Sequence, residues 1–271
     1  MTDATRVPAS YRGEAFNQVP DSENRIHSDE VARQYGFEGA LVPGVTVSAY
    51  LTHPGAVAWG ERWLDRGHAH ITVKKPLYDR RGFSVTVGDA GASAYRADLA
   101  DDRGTACATA EVSLPGSLPA PPVRRGDPPV GDDKVPPTRE GLEALRRRGM
   151  GAMRAIWAES VPMATYTRDP AAMPALLRPS EGGFANTAFL LGLTNWHVAA
   201  NVALGPWLHL ETTSQHHARV PAGSELVVEG CVVDLFERKG HEFVDVDVGI
   251  FLADDTPALS VRLRAIYRLR G

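Results

Sequence analysis

Cysteine is nearly absent from this chain: of 271 residues only Cys107 and Cys231 are cysteines, with no Cys-x-x-Cys pair and no Cys/His ligand spacing. That excludes a disulfide framework and a zinc ribbon, and leads us to expect a reduced, cytoplasmic setting with no metal. Also missing is any run of about 18 apolar residues. The opening Met1-Thr2-Asp3-Ala4-Thr5-Arg6 has no apolar core of the signal-peptide kind, so neither a membrane span nor export is expected. An excess of positive charge is lacking too. The 29 basic and 33 acidic residues leave a formal charge of −4, which gives no field to hold nucleic acid or an anionic membrane. What the chain has is apolar content, 43%, enough for one large core or two ordinary ones.

Proline is unevenly spread. Eight of the 20 prolines fall between Pro115 and Pro137, among glycines and charges, a composition that sustains neither a helix nor an interior strand. We read residues 115–138 as a linker between two units, 1–114 and 139–271. The units repeat. His68-Ala69-His70 through Gly82 runs parallel to His209-Leu210-Glu211 through Gly223, 141 positions on. Leu99-Ala100-Asp101-Asp102 recurs as Leu252-Ala253-Asp254-Asp255, 153 positions on, which implies a longer hairpin in the second unit.

Each unit reads as a helical stretch, near 44–64 and 184–204, followed by strands of period two. Val244, Val246, Val248 and Ile250 share one face against Asp245 and Asp247, and Val261, Leu263, Ala265 and Tyr267 repeat the pattern. With turns at Arg81-Gly82, Lys239-Gly240 and Asp254-Asp255, this argues for antiparallel meanders, an α+β class. The second helix is apolar nearly all round, so its sheet should wrap it.

The chemistry-bearing segment is Asn24-Arg25-Ile26-His27-Ser28-Asp29, followed sixteen residues after His27 by Pro43-Gly44-Val45. A histidine in a polar turn upstream of a Pro-Gly helix start sets a titratable group beside free backbone N–H donors. Together with Val31-Ala32 and Leu41-Val42, these residues resemble the motif of the MaoC-like dehydratases, the R-specific enoyl-thioester hydratases. That motif runs Gly-Asp-x-Asn-Pro-Ile/Leu-His-x-Asp, then a short helix, then His-Gly at the start of the central helix. The resemblance is tight over about 25 residues and implies a double hotdog, in which two antiparallel sheets each wrap a central helix.

The resemblance implies that His27 is the catalytic histidine, Asn24 the motif asparagine, and Gly44 the glycine whose N–H polarises the thioester carbonyl. Ser22 stands where the family's aspartate belongs, leaving Asp21, Glu23 or Asp29 to supply a carboxylate from a shifted position; Asp29 could equally cap the short helix 30–35. Arg25 and Pro43 replace the family's proline and histidine. The positions matching His27 and Asn24 in the second unit are Arg168 and Thr165, so one site per chain is expected, with the second unit shaping the acyl pocket. Val45, Ser48 and Thr52 on the first helix are candidates to face the thioester, although buried hydroxyls commonly bond back to their own helix. Asn195, His197 and Asn201 are unexpected polar residues on the second helix; His197 and Asn201, four apart, must pair internally or line the pocket. Lys74-Lys75 and Arg80-Arg81 could meet the phosphates of the carrier.

These readings imply a hydro-lyase that interconverts enoyl and 3-hydroxyacyl thioesters of coenzyme A or acyl-carrier protein by His-based acid/base catalysis, without a cofactor, as monomer or homodimer. The alternatives are a specialised biosynthetic dehydratase or cyclase acting on a carrier-bound intermediate, and a non-catalytic hotdog that binds acyl thioesters. A thioesterase is disfavoured, because hotdog thioesterases generally need a carboxylate on the central helix and these two stretches offer only Glu61.

Overall fold

Period-two apolar patterning drives the strands into one antiparallel sheet, and the two apolar helices lie against it. In the computed structural model, which describes residues 6–22, 24–205 and 207–270 and only the backbone of Arg25, the first half contains β1 (Ser10–Glu14), α1 (Asp29–Gln34), α2 (Gly44–Trp59), α3 (Glu61–Arg66), β2 (His68–Val73), β3 (Gly82–Gly88), β4 (Ala94–Asp101) and β5 (Ala106–Ser113). The second half contains α4 (Arg139–Arg148), β6 (Met153–Ile156), α5 (Thr187–Asn201), β7 (Leu208–His216), β8 (Glu225–Arg238), β9 (His241–Leu252) and β10 (Pro257–Arg268). The sheet order is β1-β3-β4-β5-β2-β7-β10-β9-β8-β6. Each half thus presents a helix followed by four strands, the last three a meander and the first lying beside the last, and the two halves join where β2 pairs with β7, Ala69 opposite Ser214. This is the expected α+β double hotdog. The longer second hairpin is there as well: β8 and β9 run 14 and 12 residues, against 7 and 8 for β3 and β4.

The helices are shorter than the sequence suggests. Gly60, at φ +54°, breaks the first stretch into α2 and α3, a conformation that costs a Cβ-free residue little. The second begins only at the Asn186 cap and ends where Val202 turns extended. Buried residues run almost unbroken along α2, as for a helix enclosed by its surroundings. Its internal Pro54 is accommodated by Tyr95, whose hydroxyl accepts from Gly55 N (3.1 Å) and donates to Leu51 O (2.9 Å), replacing the backbone bond between them. Thr52 on α2 touches Thr187 on α5, Oγ1 to Oγ1 at 3.3 Å, so the two central helices pack on each other.

On the outer face the charges pair across strands: Asp245 with Arg264 at 2.8 Å, and Asp247 with Arg262, register partners in β9 and β10. The proline-rich stretch crosses this outer face, where Arg125 N donates to the buried Glu229 Oε2 at 2.6 Å. No helix among the described residues is long and apolar enough to cross a membrane.

Candidate active site

His27 closes a 3-10 turn, Arg25–His27, that is held from below. Ile26 is buried in a small cluster with Ala32 and Leu41, and Asn17 Nδ2 donates to His27 O at 2.8 Å. The half-buried imidazole then has one firm contact: Nδ1 lies 2.8 Å from Leu41 O. A carbonyl can only accept, so Nδ1 carries the hydrogen and Nε2 keeps its lone pair. Burial lowers the His27 pKa below the ordinary imidazole value, the Leu41 hydrogen bond opposing only in part, so the ring is neutral near pH 7. Asn24 Nδ2 sits 3.4 Å from Nε2.

Asn24 faces the second half. Its Nδ2 donates to Trp207 O at 2.9 Å and its Oδ1 accepts from Trp207 N at 3.2 Å, and the Trp207 indole N–H donates to Asn195 Oδ1 at 3.2 Å. This chain of contacts stands between two cavities that share Asn24, His27, Pro43, Asn195 and Trp207 in their walls. The larger, about 460 Å³, is mostly apolar and includes Met163, Trp196 and Leu204. The smaller, about 190 Å³, reaches Gly44, Lys74, Lys75 and His209.

Gly44 is the first residue of α2, behind Pro43, which makes no side-chain cap. Thr46 N and Val47 N both bond Pro43 O, while the N–H groups of Gly44 and Val45 open the helix with no acceptor inside it. A Cβ on residue 44 would lie 3.1 Å from His209 Cβ and Cδ2, a tight contact that a side chain there would make only by pushing His209 back.

The other predicted residues fall in different places. Asp21 and Ser22 line the larger cavity. Ser22 spends its hydroxyl on Asn24 O at 3.1 Å, and among the described residues no carboxylate hydrogen-bonds the His27 ring. Asp29 serves structure instead: Ser28 is the cap of α1, and Asp29 Oδ1 accepts from Ala40 N at 2.7 Å. Glu23 lies outside the described residues. Val45, Ser48 and Thr52 are buried away from both cavities; Ser48 Oγ donates to Gly44 O (2.9 Å) and Thr52 Oγ1 to Ser48 O (3.0 Å). His197 and Asn201 are not brought to the cleft either. Both grip Gly151, through His197 Nε2 to Gly151 O at 3.0 Å, Asn201 Nδ2 to the same oxygen at 3.1 Å, and Gly151 N to Asn201 Oδ1 at 2.7 Å. They anchor the approach to β6, and the pocket-lining expectation for them is corrected. Of Asn195, His197 and Asn201, Asn195 is the one that lines the cleft. Trp207 and His209 were missed; both precede or open a strand of the second half, and no local pattern marks them.

No family model matches this sequence, and no curated protein does. Solved structures match along the whole length. A putative MaoC domain dehydratase from Chloroflexus aurantiacus J-10-fl aligns over 100% of this chain and 99% of its own, with TM-score 0.57 and 9% identity. Rv0216 of Mycobacterium tuberculosis, described as a double hotdog protein, covers 96% of each chain with TM-score 0.56 and 12% identity. The dehydratase domain of PpsC from M. tuberculosis, solved with C12:1-CoA, covers 96% of this chain and 93% of its own with TM-score 0.52 and 13% identity. Structures described as putative thioesterases match at the same level. The chain is a double hotdog protein, a fold it shares with dehydratases and with thioesterases.

Proposed function

We propose that this protein is a hydro-lyase that interconverts enoyl and 3-hydroxyacyl thioesters, with His27 as its proton carrier. One observation carries the reading: a half-buried imidazole with Nδ1–H committed to Leu41 O and the Nε2 lone pair beside only the Asn24 amide at 3.4 Å, in the wall of a cavity that also contains the open start of α2. Removing a proton beside a carbonyl requires a neutral base and a donor to the oxygen that gains charge.

In the dehydrating direction His27 Nε2 takes the proton from C2, and the electron pair shifts onto the thioester oxygen, held by the Gly44 N–H. The pair then forms the C2–C3 double bond as the C3–O bond breaks. The departing hydroxyl collects the proton from Nε2 and leaves as water, and His27 ends neutral as it began. A single imidazole therefore completes the cycle with Ser22 in place of the family's aspartate. Asp21, at the wall of the larger cavity, adds negative potential there without holding the ring.

The apolar larger cavity suits the acyl tail. The smaller one, with Lys74 and Lys75, suits the arm and phosphates of coenzyme A or a carrier protein. On this reading 1–114 brings the chemistry, 139–271 half of the acyl wall, 115–138 the connection, and the protein works in the reduced cytoplasm as monomer or homodimer.

Crotonyl-CoA incubated with the protein is expected to lose its enoyl absorbance without release of thiol, and His27→Ala to slow this by about 10²–10⁴-fold. Thiol release with the double bond intact would make the protein a thioesterase. Against that stands the absence of any Asp or Glu on α2 and α5.

A further inference from the structure

The strand that brings the second half to the site is irregular. Along β7 and β10 the register passes from Glu211 opposite Arg264 to His209 opposite Ala265, which leaves Leu210 as an extra, unpaired residue. A bulge of this kind turns the flanking side chains to one face. Here it brings His209 and Thr212, three residues apart, to the inner face, both buried and hydrogen-bonded Nε2 to Oγ1. Without the bulge, residues three apart on a strand would point to opposite faces.

His209 is 8% exposed, and its Nδ1 has no hydrogen-bond partner. It lines the smaller cavity beside Gly44 and His27, with its ring against the position a Gly44 side chain would fill. The tautomer follows from Thr212. With the Thr212 hydroxyl donating to His209 Nε2, the ring hydrogen resides on Nδ1. A buried N–H without an acceptor is costly, and on a residue that lines a cavity beside the open start of α2 it is accounted for by an oxygen that arrives with the ligand.

We propose that His209 is a second donor to the thioester oxygen, acting from Nδ1–H alongside the Gly44 N–H. The proposal rests on the hydro-lyase reading and deepens it: the oxyanion site is built from both halves of the chain. His209 neither gains nor loses a proton in the cycle, since His27 carries the proton and His209 holds the oxygen while it is charged. Burial pushes the His209 imidazole down to about 4, which keeps it in the neutral form that serves as a hydrogen-bond donor.

The test compares His209→Leu, which removes the donor, with His209→Asn, whose amide nitrogen falls near the place of Nδ1. Hydration of crotonyl-CoA is followed, together with the ¹³C shift of the carbonyl of [1-¹³C]butyryl-CoA bound to each protein. For His209→Leu we expect kcat to fall by about 10²-fold or more, as for loss of one oxyanion donor, with the bound carbonyl signal moved upfield. For His209→Asn we expect at least a tenfold recovery over His209→Leu and a carbonyl shift near the parent's. If His209→Leu binds butyryl-CoA with an unmoved carbonyl signal, or if His209→Asn recovers neither rate nor shift while remaining folded, the inference is overturned. Failure of the wider reading looks different, because then neither the parent nor any variant hydrates crotonyl-CoA.

Discussion

The two central helices occupy equivalent places in the two halves, yet their N-termini are treated in opposite ways. α5 is plugged. Asn186, fully buried, accepts from Phe189 N at 3.1 Å and donates from Nδ2 to Ala164 O at 2.8 Å and Met163 O at 3.1 Å, so a side chain caps its first turn. α2 begins behind Pro43, which has neither an N–H nor a capping side chain, and its opening faces the cavity with His27 and His209. The residue matching His27 in the second half, Arg168, is tied to Glu14 (2.8 Å) and Asp79 (2.7 Å) and covers Phe16. One half has stabilised its helix start; the other has left it available. Within a duplicated fold, the unsatisfied copy marks the site.

The comparison can be broken in several ways. The largest effect is expected from His27→Ala, a loss of about 10²–10⁴-fold in hydration rate with little change in melting temperature, read from initial rates and thermal unfolding. Next, Gly44→Ala forces a Cβ to 3.1 Å from the His209 ring. Overpacking of this kind costs about 1–3 kcal/mol, and we expect both lower stability by denaturant titration and a rate lowered by more than tenfold as His209 is displaced. Making the halves alike should cost activity in the other direction: Pro43→Asn, which offers α2 the cap that α5 has, is expected to hold or raise stability while slowing turnover. The converse, Asn186→Ala, should lose about 1–2 kcal/mol of stability and leave kcat within about twofold, since Asn186 lines neither cavity.

The remaining effects are pH-dependent. Burial lowers the pKa of His53, His197, His209 and His216 to about 4 each, against an unfolded value of about 6.5. The folded state disfavours their protonation. Stability is therefore full above about pH 6.5 and is lost progressively as pH falls toward 4, which thermal unfolding across that range would register. Activity should rise with pH and level off below pH 6.5, because His27 must be unprotonated and its pKa is depressed.

Much of this was legible in the sequence. Period-two strands, two apolar helices and the 141-residue repeat are local or periodic signals, and they led to the sheet, its halves and the α+β class. His27 and Gly44 were legible because a short motif carries them on one stretch of chain. The partners were not. Trp207 meets Asn24 across 183 positions, and nothing near either residue announces the pairing. His209 reads as an inward or outward residue depending on strand register, and the Leu210 bulge that settles it leaves no mark in the alternation. Polarity alone misled on α5: of Asn195, His197 and Asn201, Gly151 takes the last two, and only Asn195 lines the cavity.

The most direct test of the account is hydrogen exchange at C2 of 3-hydroxybutyryl-CoA in deuterium oxide, followed by NMR with the parent protein and with His27→Ala. Deuterium at C2 together with formation of crotonyl-CoA is expected in the parent, and neither in His27→Ala. Equal exchange and crotonyl-CoA formation by the two proteins would contradict it.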